Sequence, residues 1–235
     1  MITPIPYESL HVSRLPWLES RFHFSFSEYY NPSNTHFGVL RVMNDDVIAP
    51  HSGFETHPHR DMEIFTYVLD GALTHEDSMG NKETLHAGDI QYLSAGTGIY
   101  HSEKNESDKA LRLIQTWILP QTKGVTPQYG SYAYEKERRH NQWEHLFGPE
   151  HSGARIAFHQ DANVYAITQD NQATSAFSLA KGRQAYLKVM EGCIVLNGVT
   201  LNDGDSAEVI EEPTLSILAT KASQVLLIEM AKTPS

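Results

Sequence analysis

The chain has a single cysteine, Cys193, among 235 residues. An intramolecular disulfide is therefore impossible, and metal sites built from thiolate clusters are excluded, so any metal must rest on nitrogen and oxygen ligands. Beside Gly192 in an apolar run, Cys193 reads as a small buried hydrophobe in a strand. Positive charge is scarce as well: 18 Lys and Arg stand against 29 Asp and Glu, for a formal net charge of −11. That balance opposes binding to a phosphate backbone, and no nucleic-acid partner is expected. No apolar run approaches the length that spans a bilayer, and Met1 to Glu8 carry neither the basic nor the apolar part of a secretory signal. The expectations are no membrane association and a cytoplasmic location. A long amphipathic helical pattern is also missing. What is present, 40% hydrophobic and 20% charged residues, suits a folded chain with one large β domain or two ordinary ones.

Strand signals dominate. Phe22, Phe24 and Phe26 alternate with His23 and Ser25, the period of a half-buried strand, and the early aromatics read as packing residues. Gly38 to Asp46 reads as a strand running into an Asn/Asp turn, with Asp45 and Asp46 as turn formers. Further strands are expected at Ile64 to Leu69, Ile90 to Leu93 and Leu111 to Leu119, with turns at Asp70-Gly71, Gly80-Asn81, Gly88-Asp89 and Ala95 to Gly98. Residues 121–151 read as an irregular connector with one short helix, and the charges from Glu135 to Arg139 as a solvated face.

The last third repeats the first. Gly71, Gly80-Asn81 and Gly88-Asp89 have counterparts in Gly192, Asn197-Gly198 and Gly204-Asp205, which points to a duplicated β unit.

One short stretch concentrates chemistry. His57 and His59 are two apart, so on a strand they share a face, and Glu63 has the same parity. About forty residues later His101 and Glu103 repeat that spacing, so two strands together can offer three imidazoles and a carboxylate to one point. Glu63 and Glu103 both satisfy parity as the carboxylate. Counting the same offsets in the second repeat gives Ser178, Ala180 and Gln184, then Ile217 and Ala219: a scaffold without ligands. His75 reads as a residue of the site's mouth or of a hairpin surface, and His140, His145, His151 and His159 as structural or solvent-facing.

The order Gly, His-x-His, Glu, Gly, Gly-Asp, Gly-rich turn, His, three residues, Asn resembles the two-motif signature of the cupins. The runs Gly53 to His59, His75 to Asn81 and Ser94 to Glu103 are similar to pirins, in particular the bacterial branch with quercetin 2,3-dioxygenase activity. The resemblance implies an all-β bicupin: two antiparallel β-barrels of the jelly-roll, double-stranded β-helix type, face to face. An N-terminal barrel, 1–130, would carry the metal site, and a C-terminal barrel, 131–235, would lack metal ligands. It implies His57, His59, His101 and Glu103 as ligands of one divalent transition metal, with Glu63 accepting a hydrogen bond from a ligating imidazole. Iron is expected, and Mn, Co, Ni, Cu or Zn suit the same donors. The implied activity is cleavage of quercetin or related flavonols by O2 with release of CO, Glu103 acting as base. Its rival is a non-catalytic, redox-sensitive metal-binding regulator that docks on a protein partner.

Overall fold

The computed structural model describes residues 1–232, and all but a few of its regular elements are strands. The chain divides into two compact units, His11–Tyr134 and a second made of Met1–Leu10 with the residues from Glu135 onward. No helix among the described residues is long and apolar enough to cross a membrane.

In the His11–Tyr134 unit, a seven-stranded antiparallel sheet runs in spatial order Gln128–Tyr132, Ile90–Ser94, Glu63–Asp70, Leu111–Ile118, Leu40–Ile48, Leu18–Phe22 and His11–Leu15. A four-stranded sheet runs Ser52–His59, Ile99–Asn105, Ala72–Asp77 and Lys82–His86. The other unit repeats the plan with another seven-stranded and another four-stranded sheet, and its seven-stranded sheet includes Ile2–Ile5 paired with Ser206–Ile210. The all-β class and the duplication legible in the turns are both present.

The central strands form where β-branched and aromatic residues crowd together, as in Glu63–Asp70, buried on both faces up to Leu69. Two apolar clusters fill the first unit. One joins the sheets through Leu18, Ile48, Val68, Leu73, Leu85, Leu111 and Leu113; the other gathers Ile64, Leu93, Ala95 and Ile99. Each fully buried side chain of this kind contributes roughly 1.5–3 kcal/mol. Along Leu111–Ile118 one face reads Leu111, Leu113, Gln115, Trp117, so polar groups lie between the two apolar zones.

Three local expectations are corrected. Leu40–Ile48 continues straight through Asp45 and Asp46, both buried, because each has a cross-strand partner that a turn could not supply. Asp45 takes a bidentate ion pair from Arg112, and Asp46 accepts a hydrogen bond from Ser20. The strand at Phe22 ends there, and Phe26 instead closes a small bridge with Tyr29. The supposed connector holds strands Gln128–Tyr132 and Glu144–Gly148 around the helix Lys136–Arg139. Arg139, read as solvated, is fully buried on Glu144 at 2.8 Å.

The second unit sets the counted positions in a different register. Ile217 and Ala219 are fully buried, Ile217 within an apolar core that includes Leu215. The strand paired with them sets Ser175 and Phe177 opposite Ile217 and Leu215. The counted offsets gave Ser178 and Ala180 because Ser175 stands 17 residues before Gly192, three more than separate His57 from Gly71, and the longer connection (179–182 against 60–62) supplies one of the three.

Candidate metal centre

Ser52–His59 and Ile99–Asn105 pair antiparallel, with His101 opposite His57 and Ile99 opposite His59. The three rings form a triangle, with centroids 4.5 Å apart for His57 and His101 and 4.8 Å apart for each of the other pairs. One nitrogen from each lies within 4.8 Å of the others. His57 Nδ1 donates to the Glu55 carbonyl at 2.8 Å, so the proton sits on Nδ1 and Nε2 is left as a lone-pair donor. His101 is 1% exposed, and neither of its ring nitrogens has a hydrogen-bond partner among the described residues. Such an orphaned buried imidazole costs folding free energy unless something binds it. Burial, reinforced by the neighbouring imidazoles, drops both His59 and His101 to about 3. Both are therefore neutral at physiological pH, the state in which imidazole ligates metal.

Glu103 follows His101 by regular alternation on its own strand, and the bulge lies in the strand opposite, between Phe54 and His57. The register against Ser52–His59 slips between His101 and Glu103, so Glu103 faces Phe54. Its carboxylate is buried and held by a row of side chains that crosses three adjacent strands. Gln91 and Thr66 donate to Oε1, and Gln115 donates to Oε2 at 2.6 Å. Gln115 Oε1 in turn accepts from Trp117 Nε1 at 3.2 Å. A carboxylate has about four acceptor positions, so one on Oε2 remains after these bonds. Glu103 and His101 also form a donor group with His75. Contrary to the sequence reading, His75 is fully buried, bonded to Asp77 at 3.2 Å and stacked on Tyr129 at 4.2 Å. Its alternation with Asp77 on a strand opposite His101 and Glu103 was the available signal.

The parity of Glu63 with His57 and His59 does not hold. The strand bearing His57 and His59 stops before Asp61, whose φ is +49°, and Glu63 begins a strand of the other sheet. Parity does not carry across that break. The Glu63 carboxylate accepts hydrogen bonds from Tyr92 and, at 2.8 Å, from Ser94, and it belongs to neither donor group.

His57, His59 and Glu103 form part of the wall of a cavity of about 630 Å³. Phe22, Phe26, Phe54 and Trp117 also line it, so the early aromatics do more than pack against one another. Trp117 meets His59 edge-on at 4.9 Å and Phe26 at 5.3 Å. Asn44, Asp46 and Ser20 form a polar strip on the same wall. Burial raises Asp46 to about 7; the Ser20 hydrogen bond opposes this, and the charges of Asp45 and Glu103 add to it.

Two family models match the chain: Pirin over residues 7–118, and the quercetinase C-terminal cupin domain over 146–230. A protein of Escherichia coli K12 named quercetin 2,3-dioxygenase is 42% identical over 91% of this chain and 92% of its own length. A pirin-like protein of Caulobacter vibrioides is 40% identical over 98% of this chain and all of its own. Among solved structures, a bacterial pirin of E. coli in complex with nickel(II) superposes with a TM-score of 0.93. It is 38% identical, and the match covers 99% of this chain and 100% of that one.

Proposed function

The chain belongs to the pirin family and shares its bicupin architecture, and from that premise we propose that it is a metal-dependent dioxygenase cleaving quercetin or related flavonols with O2. The observation that carries this reading is the shared wall: three of the proposed ligands open onto a largely apolar cavity large enough for a tricyclic aromatic substrate. A purely structural or regulatory metal site has no need of such a chamber.

His57, His59, His101 and Glu103 are the proposed ligands. A divalent transition metal held by these three neutral imidazoles and one carboxylate would supply Lewis acidity toward the substrate's enolic oxygen and redox chemistry toward O2. Iron is the resident metal we propose.

The chain's own groups handle position and proton. Glu103 takes the proton of the substrate's enolic hydroxyl; Gln91, Thr66 and Gln115 leave it a single acceptor position, which would serve the metal before substrate arrives and the proton afterwards. Those three donors fix the carboxylate before substrate arrives, so no reorientation is needed at the moment of transfer. Trp117 and Phe54 hold the planar rings and keep water away. Both atoms of O2 enter the products, the carbon that carried the enolic hydroxyl leaves as CO, and a depside ester remains.

The test is aerobic incubation of iron-loaded protein with quercetin, following its absorbance and trapping CO. Loss of absorbance with stoichiometric CO is expected from the wild type, and neither from His59→Ala. Fully metallated protein that leaves flavonols intact would overturn the proposal.

A further inference from the structure

We infer that Asn44 and Asp46 form a recognition subsite for the hydroxyl groups of an aromatic substrate, and that this pair, apart from the metal ligands, selects polyhydroxylated rings. The inference rests on the reading of the cavity as a flavonol site and says which part of the substrate lies where.

The two residues alternate along Leu40–Ile48, so they share one face of the sheet, and both line the cavity. Asn44 lies between Phe22 on one neighbouring strand and Gln115 on the other; Asp46 lies opposite Ser20. Asn44 thus extends, by one strand, the polar row that holds Glu103. Both are almost wholly buried, at 3% and 2% exposure. Their hydrogen bonding is nevertheless incomplete. Asn44 Oδ1 is buried with no partner. Asp46 accepts from Ser20 on Oδ1, and no donor among the described residues reaches Oδ2.

A buried acceptor left without a donor costs ~1–3 kcal/mol, so Asn44 Oδ1 calls for a donor, and Asp46 Oδ2 beside it can accept a hydrogen bond or, when protonated, give one; a single hydroxyl-bearing partner meets both. That partner must donate hydrogen bonds, and it must arrive with whatever fills the cavity. Beside the strip, Phe22, Phe26 and Trp117 line the same cavity and offer apolar ring surface. The two demands together describe a flat body that is apolar on its faces and carries O–H donors at its edge. A phenol or catechol ring meets both, and a plain aryl ring meets only the first. Ordered water could satisfy the two acceptors, but it would give no preference between such rings.

The experiment measures binding without turnover, using the full chain loaded with redox-inert zinc. The probes are quercetin and 3-hydroxyflavone, which share the enol and keto oxygens but differ in ring hydroxyls. Dissociation constants come from absorbance titration, with metal content and melting temperature recorded for every variant. The wild type is expected to prefer quercetin by 10- to 100-fold. Asn44→Leu and Asp46→Leu should each shrink that ratio at least fivefold while leaving the affinity for 3-hydroxyflavone in place. Asp46→Asn, which keeps an acceptor oxygen, should retain a larger share of the preference than Asp46→Leu. Should Asp46→Leu fail to fold, Asn44→Leu decides alone. An undiminished ratio in the folded leucine variants overturns the inference, even if the iron enzyme turns over quercetin. A ratio that collapses as expected sustains it, even if the iron-loaded protein proves to have no dioxygenase activity.

Discussion

His57 lies directly across the antiparallel ladder from His101, their ring centroids 4.5 Å apart, and just beyond them the register slips so that Glu103 faces Phe54. The site is asymmetric. The histidines converge from two paired strands of the smaller sheet, while the carboxylate is held by side chains of the larger one.

Because both nitrogens of His101 are buried without partners among the described residues, the ring is a liability in metal-free protein and an asset only when ligated. His101→Leu is therefore expected to abolish stoichiometric metal binding. The chelator-treated variant should nevertheless melt at or above chelator-treated wild type. Metal should raise the melting temperature of wild type alone, by mass action. Scanning calorimetry with and without metal checks all three. A metal-free variant that melts clearly lower would show that the unligated ring already contributes to folding.

Gly53 passes so close to the bulge that a Cβ there would lie 2.3 Å from the Glu103 carbonyl oxygen and 2.6 Å from Lys104 Cα. Both obstacles are backbone, so the chain carrying Glu103 must move to admit a methyl group. Gly53→Ala should cost ~1–3 kcal/mol of stability, the usual range for overpacking, and weaken metal binding in the same protein. Denaturant titration and a competitive metal assay read the two effects. Loss of stability with metal affinity intact would mean the strands separate without displacing the carboxylate.

Gln115 and Gln91 touch no proposed ligand except Glu103, yet they aim it. Replacing either by leucine should lower metal affinity ~10- to 100-fold, as loss of an outer-shell partner typically does. The imidazole triangle would stay whole, so metal should still bind, but more weakly. Isothermal titration with a chelator-buffered metal is the measurement, and wild-type affinity in the double variant would rule out this orienting role.

The parts of this site that could be read from sequence are those carried by one strand. His57 with His59, and His101 with Glu103, follow from alternation along a chain. The duplicated turns also announced the second unit. What could not be read depends on strands distant in sequence. Gln91, Thr66 and Gln115 have no shared motif, and they become a row only when three strands align. Asp45 and Asp46 looked like turn formers because adjacent carboxylates usually need solvent. Here Arg112 neutralises one on one face of the sheet, while Ser20 and the cavity receive the other. Glu63 failed for the opposite reason: its parity with His59 was real in number, but the chain breaks between them. Arg139 shows the same limit in the second unit, since Glu144, on the following strand, helps to make its burial tolerable.

Asp46 also sets a pH dependence whose sign is fixed by its environment. Burial raises its folded-state pKa to about 7 from an ordinary 3.8, so the folded chain holds this proton over a range in which the unfolded chain has released it. The contribution to stability is complete below the unfolded value and is lost as pH rises through the folded one. Each pKa unit is worth ~1.4 kcal/mol, which puts the scale at a few kcal/mol. Chelator-treated wild type should therefore lose unfolding free energy between pH 4 and 7 relative to Asp46→Asn, whose amide keeps the shape without ionising. Urea denaturation of both proteins across that range provides the comparison. Metal-loaded protein should show a shallower difference, because a nearby divalent cation favours the ionised carboxylate and draws its pKa down. Parallel stability profiles for wild type and Asp46→Asn without metal would mean that Asp46 is already ionised inside the fold, compensated by donors beyond Ser20.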